Sequence, residues 1–200
     1  MKVCIVTGGV ASGKSSFCRL LADAVPSAVP FDSDRCVHEL LDSPAIAQQV
    51  AEQFGARVLK PGGEVDRQAL RSVVFGDDAA RKRLESVLHP AVARSLAALR
   101  LRLEQDRNTQ VLIAEVPLFY ESAGEFPADL VIVVATQGPM QQQRLTGPRK
   151  LDPDTAGRIR SAQWPLSRKL EPADIVVWNE GSLPLLSLQA RILVQQLAID

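Results

Sequence analysis

An α/β fold built on a central parallel sheet is predicted for this 200-residue chain by three observations. A glycine-rich loop, Gly8-Gly9-Val10-Ala11-Ser12-Gly13-Lys14-Ser15, stands between an apolar run and a helical pattern. Apolar runs return at Val111 to Val116, Leu130 to Ala135 and Ile175 to Trp178, continuous rather than alternating, as strands are when helices cover both faces of a parallel sheet. Between the early and late runs, residues 35 to 107 read as mostly helical. That excursion is too long for one crossover helix, so part of it forms a helical subdomain beside the sheet. At roughly 150 residues per domain, the length fits one domain with an insertion and excludes a large multidomain machine.

Each element follows from local chemistry. Val3 to Val6 is the opening strand, and Ser15 to Ala24 is a helix with Phe17, Leu20, Leu21 and Ala24 at helical spacing. Ala28 to Phe31 is a second strand, whose Pro30 lacks an amide donor and so belongs at a strand end or sheet edge. Ser43-Pro44 caps and opens a helix running to about Phe54, where Gly55 stops it. Lys60-Pro61-Gly62-Gly63 is a tight turn, Asp66 and Asp77 are helix caps, and Pro90 begins another helix towards Arg107. Helical pieces at Pro139 to Leu145 and Asp154 to Gln163 are split by Gly147-Pro148, a break that marks a hinge or lid over about residues 141 to 170. Leu183, Leu186, Ala190, Leu193 and Leu197 form the stripe of a closing helix packed on the sheet.

Composition narrows the function. With 46% hydrophobic and 23% charged residues the chain can bury a sizeable core. Its 23 cationic and 23 acidic residues cancel, so no whole-protein field gathers nucleic acid or an anionic membrane, and neither partner is expected. The longest aliphatic run, Leu130 to Ala135, is far short of the roughly 20 residues that span a bilayer. Cys4, Cys18 and Cys36 are odd in number and lack a C-x-x-C pair, while His38 and His89 add no metal-ligand spacing. These features favour small buried thiols in a reducing cytoplasm.

The loop matches G-x-x-x-x-G-K-[ST], a pattern expected by chance about 0.002 times in a chain of this composition. Glycines at Gly8, Gly9 and Gly13 permit positive φ and bring amide donors close to phosphate oxygens, while the following helix points its positive end there. Ala11, Ser12 and Ser16 complete the cradle. Lys14 supplies a point charge for the β- and γ-phosphates, and the Ser15 hydroxyl suits Mg²⁺ held through ATP. No Asn-Lys-x-Asp segment for reading guanine occurs, so ATP is the expected nucleotide. The fold expectation is thereby refined to a three-layer P-loop NTPase type with a helical insertion and a lid.

Asp32 and Asp34 flank Ser33 at the C-terminal end of the second strand, the edge where open parallel sheets place ligands. A carboxylate there can take a hydroxyl proton or hold a Mg²⁺-bound water; the alternative for either is a helix cap. Residues 141 to 170 carry Arg144, Arg149, Lys150, Arg158, Arg160, Arg168 and Lys169 against Asp152 and Asp154, a local charge of +5 in a neutral chain. Arginines around a Gly-Pro hinge suit closure over ATP and stabilisation of the transferring phosphoryl group.

These residues resemble the dephospho-coenzyme A kinase family over nearly the whole chain. The likeness runs from Thr7 through Ser16 to Asp32-Ser33-Asp34, Phe54-Gly55, Gly63-Glu64-Val65-Asp66-Arg67, His89-Pro90 and Pro117-Leu118-Phe119-Tyr120-Glu121. It continues through Gln143-Arg144-Leu145, Arg158-Ile159, Ala162-Gln163, Lys169, Ala173-Asp174 and Asn179. The resemblance implies ATP-dependent phosphorylation of the ribose 3′-hydroxyl of dephospho-CoA, with Asp34 as general base and Asp32 assisting. Arg67 and His89 become acceptor-side candidates, Pro117 and Leu118 shape the cleft floor, and Arg144 and Arg149 are candidate lid arginines. The alternatives are another small-molecule P-loop kinase and a non-catalytic ATP-binding regulator.

Overall fold

The computed structural model describes residues 1–106, 108–122 and 126–196. Two compact units emerge, one holding Met1–Asp32, Leu99–Glu121 and the chain from Pro127 onward, the other built on Ser33–Ala98.

The first unit is organised by five strands: β1 (Lys2–Gly8), β2 (Ala28–Asp32), β3 (Val111–Glu115), β4 (Leu130–Ala135) and β5 (Ile175–Trp178). They pair in the order β2-β3-β1-β4-β5, every pair parallel, so the first strand made is the middle of the sheet. Pro30 lies on the edge strand β2, where a missing amide costs no inner ladder bond. Register sets Val6 beside Glu115 and Glu115 beside Asp32, bringing the loop after β1 and two carboxylates to one edge of the sheet.

One sheet face lies under helices α1 (Lys14–Ala24) and α9 (Leu183–Gln196). Cys4, Val6, Ile113, Ile132 and Val134 pack there with Phe17, Leu21, Leu186 and Leu193. Val3, Ile5, Leu112, Ala114 and Val133 on the opposite face are equally buried, which is why these strands read as unbroken apolar runs. β5 departs from that expectation. As an edge strand it leaves Trp178 44% and Val176 37% exposed. Leu183 is also exposed at the start of α9, while the expected stripe residue Leu197 lies outside the described residues.

The second unit contains α2 (Ser33–Leu41), α3 (Pro44–Phe54), α4 (Arg67–Val74) and α5 (Asp78–Glu104) as far as Ala98. Its caps are those the sequence indicates. Ser43 Oγ accepts from Ile46 N–H, Asp66 Oδ1 from Gln68 and Ala69 N–H, Asp77 Oδ1 from Ala79 and Ala80 N–H, and Gly55 closes α3 at φ 81°. Leu41, Val50, Phe54, Val58, Leu70 and Leu88 give this unit a core of its own.

Pro90 corrects the sequence expectation. Rather than starting a helix, it sits inside the continuous α5. An internal proline costs about 3 kcal/mol. Burial of Leu88, Ala91, Val92 and Leu96 around it, at about 1.5–3 kcal/mol for each large side chain, outweighs that cost. Along the basic segment, α6 (Gly138–Thr146) and α7 (Pro153–Ser161) fall where expected, and a further short helix, α8 (Leu166–Leu170), follows them. Asp152 caps α7, and the Thr155 N–H that it accepts holds its carboxyl below the usual range. No helix among the described residues is long and apolar enough to cross a membrane.

Candidate active site

The loop from Gly8 to Lys14 turns the chain from the centre of the sheet into α1. Its positive-φ residues are Gly8 (142°), Ala11 (56°) and Gly13 (94°). Gly9, expected among them, is not one of them; a Cβ there would meet the far end of the flexible Gln141 side chain. At Gly8 the obstacle is the Val134 carbonyl oxygen, backbone that cannot step aside, so that position demands glycine on both counts. No side chain caps α1 at Gly13 and no acid stands in its first turn, leaving the amide end of the helix to an anion. Ser12 is fully buried inside the loop, and among the described residues its Oγ has no hydrogen-bond partner.

Lys14, only 7% exposed, folds over the loop and donates from Nζ to the Gly9 carbonyl at 2.9 Å and the Gly8 carbonyl at 3.3 Å. Its charge is thus fixed where the loop amides converge. Ser15 is exposed one residue on, with Oγ donating to Glu115 Oε1 at 2.8 Å, and Ser16 follows in the same turn. A hydroxyl and a carboxylate are hard oxygen donors, the kind Mg²⁺ takes beside phosphate oxygens and water. Among the described residues, no group of three or more His, Cys, Asp and Glu could hold a metal without such help. Burial, with Glu115 adding to it, pushes the Cys18 thiol up, so it stays protonated and acts as packing rather than nucleophile.

Three residues distant in sequence brace the loop from outside. Arg144 donates from Nη2 to the Asn179 carbonyl at 2.7 Å, and from Nη1 to Ala11 O at 3.2 Å, Ser12 O at 3.3 Å and Thr136 Oγ1 at 3.3 Å. Asn179 Nδ2 donates to Ser12 O at 2.7 Å. Gln163 Oε1, just beyond α7, accepts the Val10 N–H at 2.7 Å. Arg144 therefore adjoins the loop, with its donors engaged on protein carbonyls and the Thr136 hydroxyl. Arg149 lies exposed between α6 and α7, and among the described residues no hydrogen bond or ion pair joins it to the loop.

Of the two aspartates, Asp32 ends β2 in register with Glu115, while Asp34 sits exposed in the first turn of α2. Pro117 and Leu118 are half-buried just after β3, with the Pro117 carbonyl accepting from Thr7 Oγ1 at 3.3 Å. Within the second unit, Arg67 spans from α4 to the end of α2, donating to both Asp42 carboxylate oxygens at 2.8 Å and to the His38 carbonyl at 2.9 Å. His89 is half-buried in the middle of α5, not at a helix start.

Sequence reasoning assigned no role to Gln163, Asn179 or Thr136 in the loop's bracing, because single neutral polar residues carry neither period nor charge signal. It also missed a cleft of about 450 Å³ lined by Gly9, Val10, Gln141, Arg160, Trp164 and Lys169, between the loop and the α6–α8 segment.

A glycine loop leading from the central strand of a parallel sheet into an uncapped helix, with an invading lysine and a serine–carboxylate pair, defines a P-loop nucleotide-binding protein of the kinase type. The family model for dephospho-CoA kinase matches residues 2–184. A dephospho-CoA kinase of Anaeromyxobacter dehalogenans is 37% identical over 184 residues, covering 91% of this chain and 85% of its own. One of Symbiobacterium thermophilum is 36% identical over 186 residues, covering 92% of this chain and 76% of its own. Among solved structures, TT1252 from Thermus thermophilus superposes with a TM-score of 0.76 at 29% identity, covering 98% and 96% of the two chains. The dephospho-CoA kinase from Campylobacter jejuni gives 0.61 at 25% identity, again covering 98% and 96%. The chain belongs to the dephospho-CoA kinase family.

Proposed function

We propose that this enzyme transfers the γ-phosphoryl group of ATP to the ribose 3′-hydroxyl of dephospho-CoA, giving coenzyme A and ADP, in the cytoplasm. The family match over residues 2–184 carries this reading, and the loop geometry supports it. Lys14 and the loop residues Gly8, Gly9, Ala11, Ser12, Gly13, Ser15 and Ser16 hold the phosphates and meet the charge that spreads over the transferring group. Asp34 accepts the hydroxyl proton as the 3′-oxygen attacks the γ-phosphorus and the bond to the β-phosphate oxygen breaks, releasing ADP. Ser15, with Asp32 and Glu115, would hold Mg²⁺, and the ion would neutralise part of the phosphate charge.

The helical unit on Ser33–Ala98 takes the acceptor, with Arg67 and His89 on its side and Pro117 and Leu118 on the cleft floor. Residues 141 to 170 form the lid. Arg144 steadies the loop, and Arg149 belongs to the mobile charge that closes over the phosphates.

The assay is ATP plus dephospho-CoA with the product identified by mass as phosphorylated on the 3′-oxygen. Preference for gluconate, shikimate or a nucleoside monophosphate would point to another small-molecule kinase. ATP binding without acceptor-dependent ADP release would point to a regulator. The family match favours neither alternative.

A further inference from the structure

One fully buried charge lies at the far end of the lid segment, where the reaction just proposed gives it no role of its own. Lys169 on α8 is 0% exposed, and its Nζ lies 2.7 Å from Glu121 Oε1, on a carboxylate side chain that is itself only 13% exposed. The same Glu121 oxygen accepts the Trp164 N–H at 2.9 Å. Trp164 is gripped on its ring faces as well, stacked with Tyr120 at 6.1 Å between centroids and 8° between planes, and covered by the Arg168 guanidinium at 3.4 Å from its centroid. Its neighbour Gln163 is the residue whose side-chain carbonyl holds the Val10 N–H of the phosphate loop.

Burying two charges is a poor route to stability, because desolvation of each ion offsets most of their attraction, and apolar replacements of like volume are often as stable or more so. What such a pair does supply is a single allowed arrangement. We propose that Glu121 and Lys169 are positioning residues for phosphoryl transfer: their buried pair fixes the backbone at Trp164 and so aims Gln163 at Val10, holding one wall of the phosphate loop in register. The chain of contact is continuous: Lys169 to Glu121, Glu121 to the Trp164 amide, Gln163 to the Val10 amide. The loop amides meet the phosphates directly, so an error of about 1 Å at Val10 is enough to cost up to a hundredfold in rate. The inference rests on the proposed kinase reaction for its rate consequence only; the mechanical link stands or falls without it.

The test replaces the pair rather than breaking it. Glu121→Leu with Lys169→Met removes both charges and strands neither. Three quantities are measured: the thermal midpoint, hydrogen exchange at the Val10 amide, and kcat and KM for ATP in the dephospho-CoA assay. The double variant is expected to keep or raise its midpoint while Val10 exchanges about tenfold faster or more. Its kcat is expected to fall about ten- to a hundredfold, with KM for ATP within about threefold. Gln163→Ala should reproduce both changes, and adding it to the pair replacement should lower kcat no further. Lys169→Arg, which preserves the pair, should recover most of the wild-type exchange and rate.

Unchanged Val10 exchange in the pair replacement would overturn the proposal, as would faster exchange with an undiminished kcat or a multiplicative loss when Gln163→Ala is added. Should the pair replacement not fold, Gln163→Ala decides alone: unaltered Val10 exchange there removes the last link. Wild-type protein inactive on dephospho-CoA would refute the proposed reaction instead, leaving the exchange measurements to judge the positioning link.

Discussion

Arg144→Met separates two uses of one guanidinium. Methionine keeps an apolar stem of similar reach while deleting the charged head. Of the four bonds lost, three lie at 3.2–3.3 Å and contribute little, whereas the 2.7 Å bond to the Asn179 carbonyl is a short charge-assisted one. Ser12 O retains its 2.7 Å donor from Asn179 Nδ2, and Val10 keeps its bond to Gln163, so the loop loses one of three outer supports. Hydrogen bonds to charged groups are worth about 1.5–3 kcal/mol net, and Arg144 is half-buried, which places the cost near 2 kcal/mol. For a chain of this length that corresponds to a thermal midpoint lower by roughly 4–8 °C. Turnover should fall about ten- to a hundredfold through the displaced loop. Calorimetry and the ATP-dependent assay read the two effects. Had the guanidinium worked on the transferring phosphoryl group instead, kcat would drop about 10³- to 10⁵-fold with the midpoint hardly moved. That outcome would refute the bracing argument. Arg144→Lys, able to reach about one acceptor, should recover part of the midpoint.

Lys14→Ala should lower kcat/KM about 10²- to 10³-fold by deleting a cation held at the loop, and a near-normal rate in steady-state assays would contradict the loop's role. Asp34→Asn should reduce kcat about 10²- to 10⁴-fold with ATP binding kept, as titration calorimetry can check; unchanged kcat would remove it as the base. Ser15→Ala should raise the Mg²⁺ concentration for half-maximal activity several-fold, and an unaltered Mg²⁺ curve would argue against that hydroxyl. Burial pushes the Cys4 thiol up to about 11, so the folded state favours the protonated form. Its contribution is whole below the unfolded thiol range and is lost as pH climbs through about 11, so urea midpoints should decline from about pH 9 upward. Cys4→Ala should flatten that decline, and an equally steep curve would mean other groups cause it.

The readable parts of the fold are those where one physical rule acts alone. Strands buried on both faces announce themselves as apolar runs, and Ser43, Gly55, Asp66 and Asp77 mark helix ends because capping is local chemistry. Pro90 misleads because the local penalty is outweighed by packing that only the folded helix reveals. α8, at five residues, is too short to display a period. In the site, Lys14 and Ser15 follow from the motif, yet the occupant of the Cβ place at Gly9 is a glutamine 132 positions away, which no local pattern encodes. The pairing of Lys169 with Glu121 is hidden for another reason: within a basic stretch it reads as one more surface charge, and only its burial sets it apart.

The order in which the sheet is assembled has a consequence for the nascent chain. β1 is translated first but cannot acquire its two flanking partners until residues 111–115 and 130–135 have left the ribosome, and the carbonyls at Ala11 and Ser12 wait longer still for Arg144 and Asn179. Nucleotide capture should therefore wait until Asn179 is free to bond the Ser12 carbonyl, and until β3 and β4 arrive the apolar run of β1 stays without its sheet partners.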